Sequence, residues 1–353
     1  MKGYDVMLKK CMVVLTIAAI LFSFAGCSPK NNTANNELNI LTWDGYIPQD
    51  ILDGFSESEN IKINISNFDS NEEMLAKIST GNAGYDLVIG SDYIVDIARK
   101  QDLLVELDKS KIPNYENLDE GYLSKFYDPE NKYTVPYSAG SPVILYDKSK
   151  TGAEINGYGD LWNKELKGKV LLIDDARNIV GITLKSLGYS MNTTEPEKLA
   201  EAKDKLAELK ENIHHLNYTN PHESLISGDV DIAYLFSSQA YLALEARPEL
   251  EVVFPEEGIG FGIDCWFIPK GAQNTDNAHK FLNYITDAEN GAKITEQIMY
   301  LSPNKAAREF LPDTIKNNPI FNIPADKLKN SEFIQDIGSA AEEYTKIWTE
   351  FKQ

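Results

Sequence analysis

Carboxylates stand beside aromatic rings at several points of this chain. Trp43 and Tyr46 flank Asp44, Tyr93 follows Ser91 and Asp92, and Asp264 lies close to Phe261 and Trp266. Asp175 closes the apolar run that begins at Val170, directly after Asp174. A ring face attracts a cation by about 0.5–2 kcal/mol, and a charged hydrogen bond is stronger than a neutral one. An alkylammonium ion needs both features: carboxylates for its nitrogens and flat rings over its methylene chain. The competing reading is that the rings plug the ends of sheets. For one ring the two readings weigh equally; the set favours the ligand.

Catalytic constellations are thin. The histidines are His214, His215, His222 and His279. None has a Cys or acidic partner at metal-ligand spacing, so solvated or capping roles are expected and no metal site. There is no Gly-x-Ser-x-Gly elbow, Walker loop or dinucleotide fingerprint, and no cofactor is expected. Asp174 and Asp175 are neighbours on a strand and point to opposite faces, so they cannot flank one bond as a hydrolytic pair. No catalytic residue is assigned.

The elements that must position these residues alternate between strands and helices. Leu38 to Trp43 reads as a strand ending in the turn Asp44-Gly45-Tyr46, and Pro48 opens a helix with Ile51, Leu52 and Phe55 on one face. Ile61, Ile63 and Ile65 mark a second strand, Met74, Leu75 and Ile78 a helix, and Asp86 to Ile89 a buried strand before Gly90-Ser91. Later strands are expected over 143–146, 170–173, 230–236 and 263–268. Leu199, Ala202, Leu206 and Leu209 line a helix, and Phe333, Ile337, Ala341, Tyr344, Ile347 and Trp348 share helical spacing near the end. Such alternation predicts an α/β fold with mainly parallel sheets. Ligands of such sheets collect at the carboxyl ends of strands, where Trp43–Tyr46 and Ser91–Tyr93 lie.

The start of the chain is different. Lys2, Lys9 and Lys10 precede an apolar run from Met12 to Ala25 that ends at Gly26-Cys27. This reads as a secretory signal, and the run is too short for a comfortable membrane span. Phe24-Ala25-Gly26-Cys27 resembles a bacterial lipobox, with Cys27 as the lipidated first mature residue. The polar stretch from Ser28 to Asn36 suits a tether. Of the other cysteines, Cys11 lies in the leader and Cys265 in an apolar run, where a buried free thiol is expected. The net charge is −20, and removing the leader's net +2 (Lys2, Lys9, Lys10, Asp5) leaves −22. That surface repels nucleic acid and anionic membranes and attracts cations.

The chain resembles the periplasmic spermidine/putrescine-binding proteins of bacterial polyamine importers over nearly all of its mature length. The resemblance is carried by Trp43-Asp44-Gly45-Tyr46-Ile47-Pro48, Leu172-Ile173-Asp174-Asp175-Ala176-Arg177, Leu187-Gly188-Tyr189-Ser190 and Tyr300-Leu301-Ser302-Pro303-Asn304-Lys305. It implies a two-lobed periplasmic-binding-protein fold with a hinge between lobes. Expected divisions are 1–26 for the signal peptide, 27–37 for anchor and linker, 38–141 plus 263–308 for lobe 1, and 142–262 plus 309–353 for lobe 2. It implies that Trp43, Tyr46 and Tyr93 sandwich a ligand chain, that Ser91 lies at the site's edge, that Asp175 and Asp264 pair with amines, and that Tyr300 adds a ring.

Departures from the family pattern are Gly45, with the acid displaced to Asp44; Asn178, where the spermidine binder has Glu; Phe236 and Gly262, where it has tryptophans; and Ile334, where it has Gln. Asp92 is a candidate replacement acid. Phe261 and Trp266 could swing in over Gly262 instead. The departures predict a preference shifted from spermidine toward a smaller diamine or a differently shaped amine. The expected protein is thus a monomeric extracytoplasmic lipoprotein that captures a small cationic amine and delivers it to an ABC permease. The rivals are another small solute, such as an amino-acid derivative or guanidino compound, and a hydrolase using Asp175 and Asp264.

Overall fold

In the computed structural model, residues 36–81, 84–321, 323, 327–328 and 330–353 are described. The expected leader, Cys11, the lipobox with Cys27, and the tether up to residue 35 lie outside them.

Short apolar runs become strands of two sheets. The first sheet holds β1 (Glu37–Thr42), β2 (Lys62–Asn67), β3 (Leu87–Ser91), β4 (Thr134–Gly140), β10 (Gly260–Phe267) and β11 (Glu332–Phe333). Its order is β11-β10-β3-β1-β2, with β4 also on β10. The second sheet holds β5 (Val143–Tyr146), β6 (Val170–Leu172), β7 (Ile213–Leu216), β8 (Ile232–Leu235) and β9 (Glu251–Val253), in the order β7-β6-β8-β5-β9. Both sheets are mixed. Parallel pairs join β1 to β2 and β3, and β6 to β7 and β8. β10 runs antiparallel to β3 and β4, and β5 antiparallel to β8 and β9.

Helices cover the sheets. They are α1 (Gln49–Glu59), α2 (Asn71–Ile78), α3 (Asp92–Lys100), α4 (Ala176–Ser186), α5 (Pro196–Leu209), α6 (Pro221–Ser227), α7 (Ser237–Ala246), α8 (Thr275–Ile285), α9 (Ala288–Ile298) and α10 (Ala340–Lys352), with shorter turns between. The second sheet shows why its strands read as unbroken apolar runs. Ile144, Tyr146, Leu172 and Tyr234 bury on one face, and Val143, Leu145, Leu171 and Leu235 on the other. A sheet covered on both faces has no polar side to alternate with.

Several sequence expectations are corrected. The closing helix begins at Ala340, so Phe333 is not on it: Phe333 sits on β11 opposite Phe261, ring centroids 5.7 Å apart, and Gly338 at φ +55° intervenes before the helix. The segment after residue 308 is therefore divided between the sheets, because β11 pairs with β10 while Tyr344, Ile347 and Trp348 of α10 pack with α4 and α5. Lys185 of α4 ties the two regions by donating to Glu332 at 2.5 Å. Trp266 is fully buried against Tyr137 and Phe281, so it does not swing over Gly262. His279 is neither solvated nor a helix cap: its Nε2 accepts from the Asp108 N–H at 2.9 Å, and its Nδ1 lies 2.7 Å from the Thr275 carbonyl. Cys265 is a buried free thiol.

Candidate functional site

Strand register assembles half of the site. On β10, Asp264 lies directly opposite Ser91 of β3 on one side and Ser138 of β4 on the other. Ser91 Oγ donates to Asp264 Oδ1 at 2.7 Å, and Ser138 Oγ reaches Oδ2 at 3.5 Å. The register of β4 slips after Asp264, so Cys265 faces Pro136 and Tyr137 is the extra residue. Such a bulge re-aims side chains, and here it falls at a proline that has no N–H for the ladder.

Tyr46 closes the other side of the carboxylate. The turn after β1 needs Gly45 at φ +66°, a conformation glycine adopts without strain. It delivers the Tyr46 hydroxyl to 2.5 Å from both Asp264 Oδ2 and Ser138 Oγ. Tyr137 holds the turn by donating to the Tyr46 carbonyl at 2.9 Å. The Tyr46 ring meets Trp43 at 5.3 Å, Tyr137 at 5.6 Å and Tyr300 at 6.3 Å, all edge-on. Trp43 rests on Phe68 at 4.7 Å. Burial pushes the Asp264 carboxyl above the ordinary range although three hydroxyls stabilise its charge. The Tyr300 phenol is pushed up to about 12, chiefly by burial, with Asp264 adding to the shift.

Asp175 forms the second acidic centre. It is the N-cap of α4: its Oδ1 accepts from the Asn178 N–H at 2.7 Å and from Asn178 Nδ2 at 3.0 Å. Burial raises its pKa against these hydrogen bonds. Asp174 turns away, as expected, and accepts from Trp348 Nε1 at 2.8 Å and Lys352 at 2.9 Å. Arg177 also points elsewhere, donating to the Met191 carbonyl, Asn192 and the Gln335 carbonyl and stacking on Tyr344.

The two acidic centres share their surroundings. After partial burial, the phenol of Tyr218 is raised first by Asp175 and then by Asp264. Tyr93, which donates to Glu72 at 3.1 Å, is raised by burial, by Glu72 and also by Asp175. Tyr218 packs on Phe236 at 5.9 Å, and Gln239 holds its carbonyl at 3.0 Å. Gly140, where β4 leaves the first sheet, allows close approach: a Cβ there would stand 2.8 Å from both Ser237 Oγ and Tyr300. Trp43, Tyr46, Ser91, Tyr93, Asp175, Asn178, Phe236, Asp264 and Tyr300 are thus brought to one region.

The remaining candidates differ. Asp92 lies behind this surface, 1% exposed, with its oxygens taken by the N–H groups of Tyr93 and Ile263. Burial and the neighbouring Asp264 raise its pKa, so it is no replacement acid at the surface. Asp44 is exposed and accepts from Asn67 at 2.9 Å. Gly262 faces open space, with nothing within 4 Å of where a Cβ would be. Sequence reasoning missed Ser138, Tyr218 and Asn71, which bridges to Ser91 at 3.1 Å. Only the cross-strand register reveals Ser138.

Two features define the chemistry. Among the described residues neither Asp175 nor Asp264 forms an ion pair with a side chain, although both are half-buried. Asn178 Oδ1 and Ser237 Oγ are buried without hydrogen-bond partners. Buried polar atoms left unpaired cost about 1–3 kcal/mol each, so the region offers an unanswered amide acceptor and a hydroxyl that can donate or accept. No group of three or more His, Cys, Asp or Glu suited to a metal ion occurs among the described residues.

Comparison with known proteins gives a consistent picture. A family model described as bacterial extracellular solute-binding protein matches residues 50–323. The spermidine/putrescine-binding periplasmic protein of Escherichia coli (strain K12) is 35% identical over 329 residues, covering 93% of this chain and 94% of that protein. Among solved structures, the spermidine/putrescine ABC transporter substrate-binding protein PotD of Streptococcus pneumoniae superposes with a TM-score of 0.79 at 34% identity, covering 90% of this chain and 98% of that one. The Tp0655 (TpPotD) lipoprotein of Treponema pallidum does so with a TM-score of 0.79 at 27% identity, covering 89% and 99%.

Proposed function

We propose an amine-capture role for this chain, which belongs to the bacterial extracellular solute-binding protein family: it binds a polyamine or related small cationic amine in a cleft between its lobes and presents it to an ABC permease. As a member of that family it is a binding protein and not an enzyme. The observation that carries the amine reading is the pair of half-buried carboxylates, Asp175 and Asp264, which form no ion pair with a side chain and are framed by Trp43, Tyr46, Tyr93, Tyr218 and Tyr300. A ligand ammonium group supplies the missing charge and donors. The E. coli and S. pneumoniae relatives, whose names state spermidine and putrescine, support this reading.

In this proposal lobe 1 is 38–141 plus 263–308 with β11 (Glu332–Phe333) added to its sheet, and lobe 2 is 142–262 plus the rest of 309–353. Gly262 leaves room that a ring would otherwise fill, and Asn178 brings an acceptor without charge. A smaller diamine, or an amine whose own bulk fills the space, then suits the site better than spermidine. The protein acts as a monomer.

The pKa directions give a test. An ammonium ligand binds the ionised carboxylates, and burial holds Asp175 and Asp264 above the ordinary carboxylate value. Between that value and the raised ones the folded, ligand-free protein holds more protons than the unfolded chain. These two groups therefore add stability to the ligand-free fold as pH falls and remove it as pH rises. Ligand binding runs the other way: it releases protons in that window, and affinity declines as pH falls. Calorimetric titration with putrescine in buffers of different ionisation enthalpy measures the release. Binding with no proton release at mildly acidic pH contradicts the assignment.

Cys27 is proposed as the membrane anchor, lipidated after removal of residues 1–26. The T. pallidum relative is itself named as a lipoprotein, which supports this. Stable anchoring takes two acyl chains, since one gives only marginal binding. Cys27→Ala should shift the protein from the membrane fraction to the soluble one in fractionated cells. A variant that loses its leader yet stays equally membrane-bound disproves the anchor.

A further inference from the structure

The second sheet carries a histidine pair that amine capture does not use. On edge strand β7, Ile213 pairs with Val170 but Leu171 pairs with His215, so His214 is inserted as a bulge. Adjacent strand residues ordinarily point to opposite faces. The bulge cancels that alternation, as bulges at sheet edges do when they re-aim a side chain. The two imidazoles converge with centroids 4.9 Å apart and Nδ1 atoms separated by 2.7 Å. His214 is exposed, and His215 Nε2 lies 3.1 Å from Ser224 Oγ.

We propose that His214 and His215 form a chelating site for a divalent first-row transition ion, with Cu2+ bound most tightly. Two nitrogens at about 2.0 Å from a metal and at right angles lie roughly 2.8 Å apart; a tetrahedral angle requires roughly 3.3 Å. The observed spacing matches the tetragonal case, the geometry of Cu2+ and Ni2+, and imidazole affinity peaks at Cu2+. Water fills the remaining positions.

Tautomers fit the assignment. Without metal the neutral pair shares one Nδ1 proton. With metal both Nδ1 lone pairs coordinate, and both rings carry their proton on Nε2. The Nδ1 proton is lost to water and the Nε2 of the same ring takes one up, so the exchange is neutral. His215 Nε2–H then donates to Ser224 Oγ, the kind of outer hydrogen bond that orients a ligating histidine.

The test is a Cu2+ titration of the untagged protein near pH 7.4, followed by calorimetry and electron paramagnetic resonance. The expected result is one tightly bound Cu2+ per chain with two imidazole nitrogens in its hyperfine pattern. His214→Ala and His215→Ala should each weaken binding at least tenfold. Wild-type spectra with fewer than two imidazole nitrogens overturn the proposal without reference to any variant. Equal Cu2+ affinity in wild type and His214→Ala overturns it as well.

Discussion

Replacing Asp264 with Asn should weaken putrescine or a related amine by about 2–5 kcal/mol, the usual loss when one partner of a desolvated charge pair is removed. That corresponds to roughly a 30- to 4,000-fold rise in Kd. The change is nearly isosteric. The hydroxyls of Tyr46, Ser91 and Ser138 that hold Asp264 are each donor and acceptor, so they can rotate to meet an amide. Stability should move differently from affinity. Burial raises the Asp264 pKa, and its charge also opposes ionisation of buried Asp92. Removing the charge therefore relieves a strain of the ligand-free fold, and the melting temperature should hold or rise while affinity collapses. Calorimetry and thermal unfolding of the same preparation check both. Unchanged affinity in Asp264→Asn removes this residue from the site; a lowered melting temperature contradicts the stated cause.

Asp175 offers a second large effect, and it separates two roles. Its Oδ1 caps α4 through the Asn178 N–H, while the carboxylate as a whole supplies charge. Asn is as good an N-cap as Asp, whereas Ala costs about 0.5–2 kcal/mol. Asp175→Asn should preserve stability yet weaken the amine by about 2–5 kcal/mol. Asp175→Ala should lose both. If Asp175→Asn binds an amine as wild type does, the residue is only a helix cap. Destabilisation by Asn as great as that by Ala contradicts the capping role.

Much of this was legible in the sequence, and the failures have physical causes. Val143–Tyr146 reads as a strand because both faces of its sheet are covered, and the structure places β5 there. Asp174 and Asp175 diverge as expected but for another reason: β6 ends at Leu172, and Asp175 turns inward as the N-cap of α4 while Asp174 in the bend before it meets Trp348 and Lys352. Ser138 was not legible: it reaches Asp264 through a register between strands distant in sequence. Trp266 was misjudged from its nearness to Asp264, because two residues further along β10 the indole is already enclosed by Tyr137 and Phe281. Asp92 looked like a replacement acid, but it opens α3 and its oxygens answer backbone N–H groups. Phe333 continued a helical period only by coincidence, since pairing with β10 overrides it. The His214–His215 convergence depends on a bulge, and an extra residue in one strand leaves no mark in a period-two pattern.

Amine capture is tested most directly by calorimetric titration of the purified protein with putrescine, cadaverine, spermidine, spermine and agmatine, with zwitterionic amino acids as controls. The expected result is one amine per chain, tightest for a ligand smaller than spermidine or bulky enough to fill the space over Gly262. At a hundred times its Kd that ligand should also stabilise the fold by about 2.7 kcal/mol. Binding of an amino acid with no response to any of the five amines would contradict the assignment of Asp175 and Asp264 as partners of ligand ammonium groups.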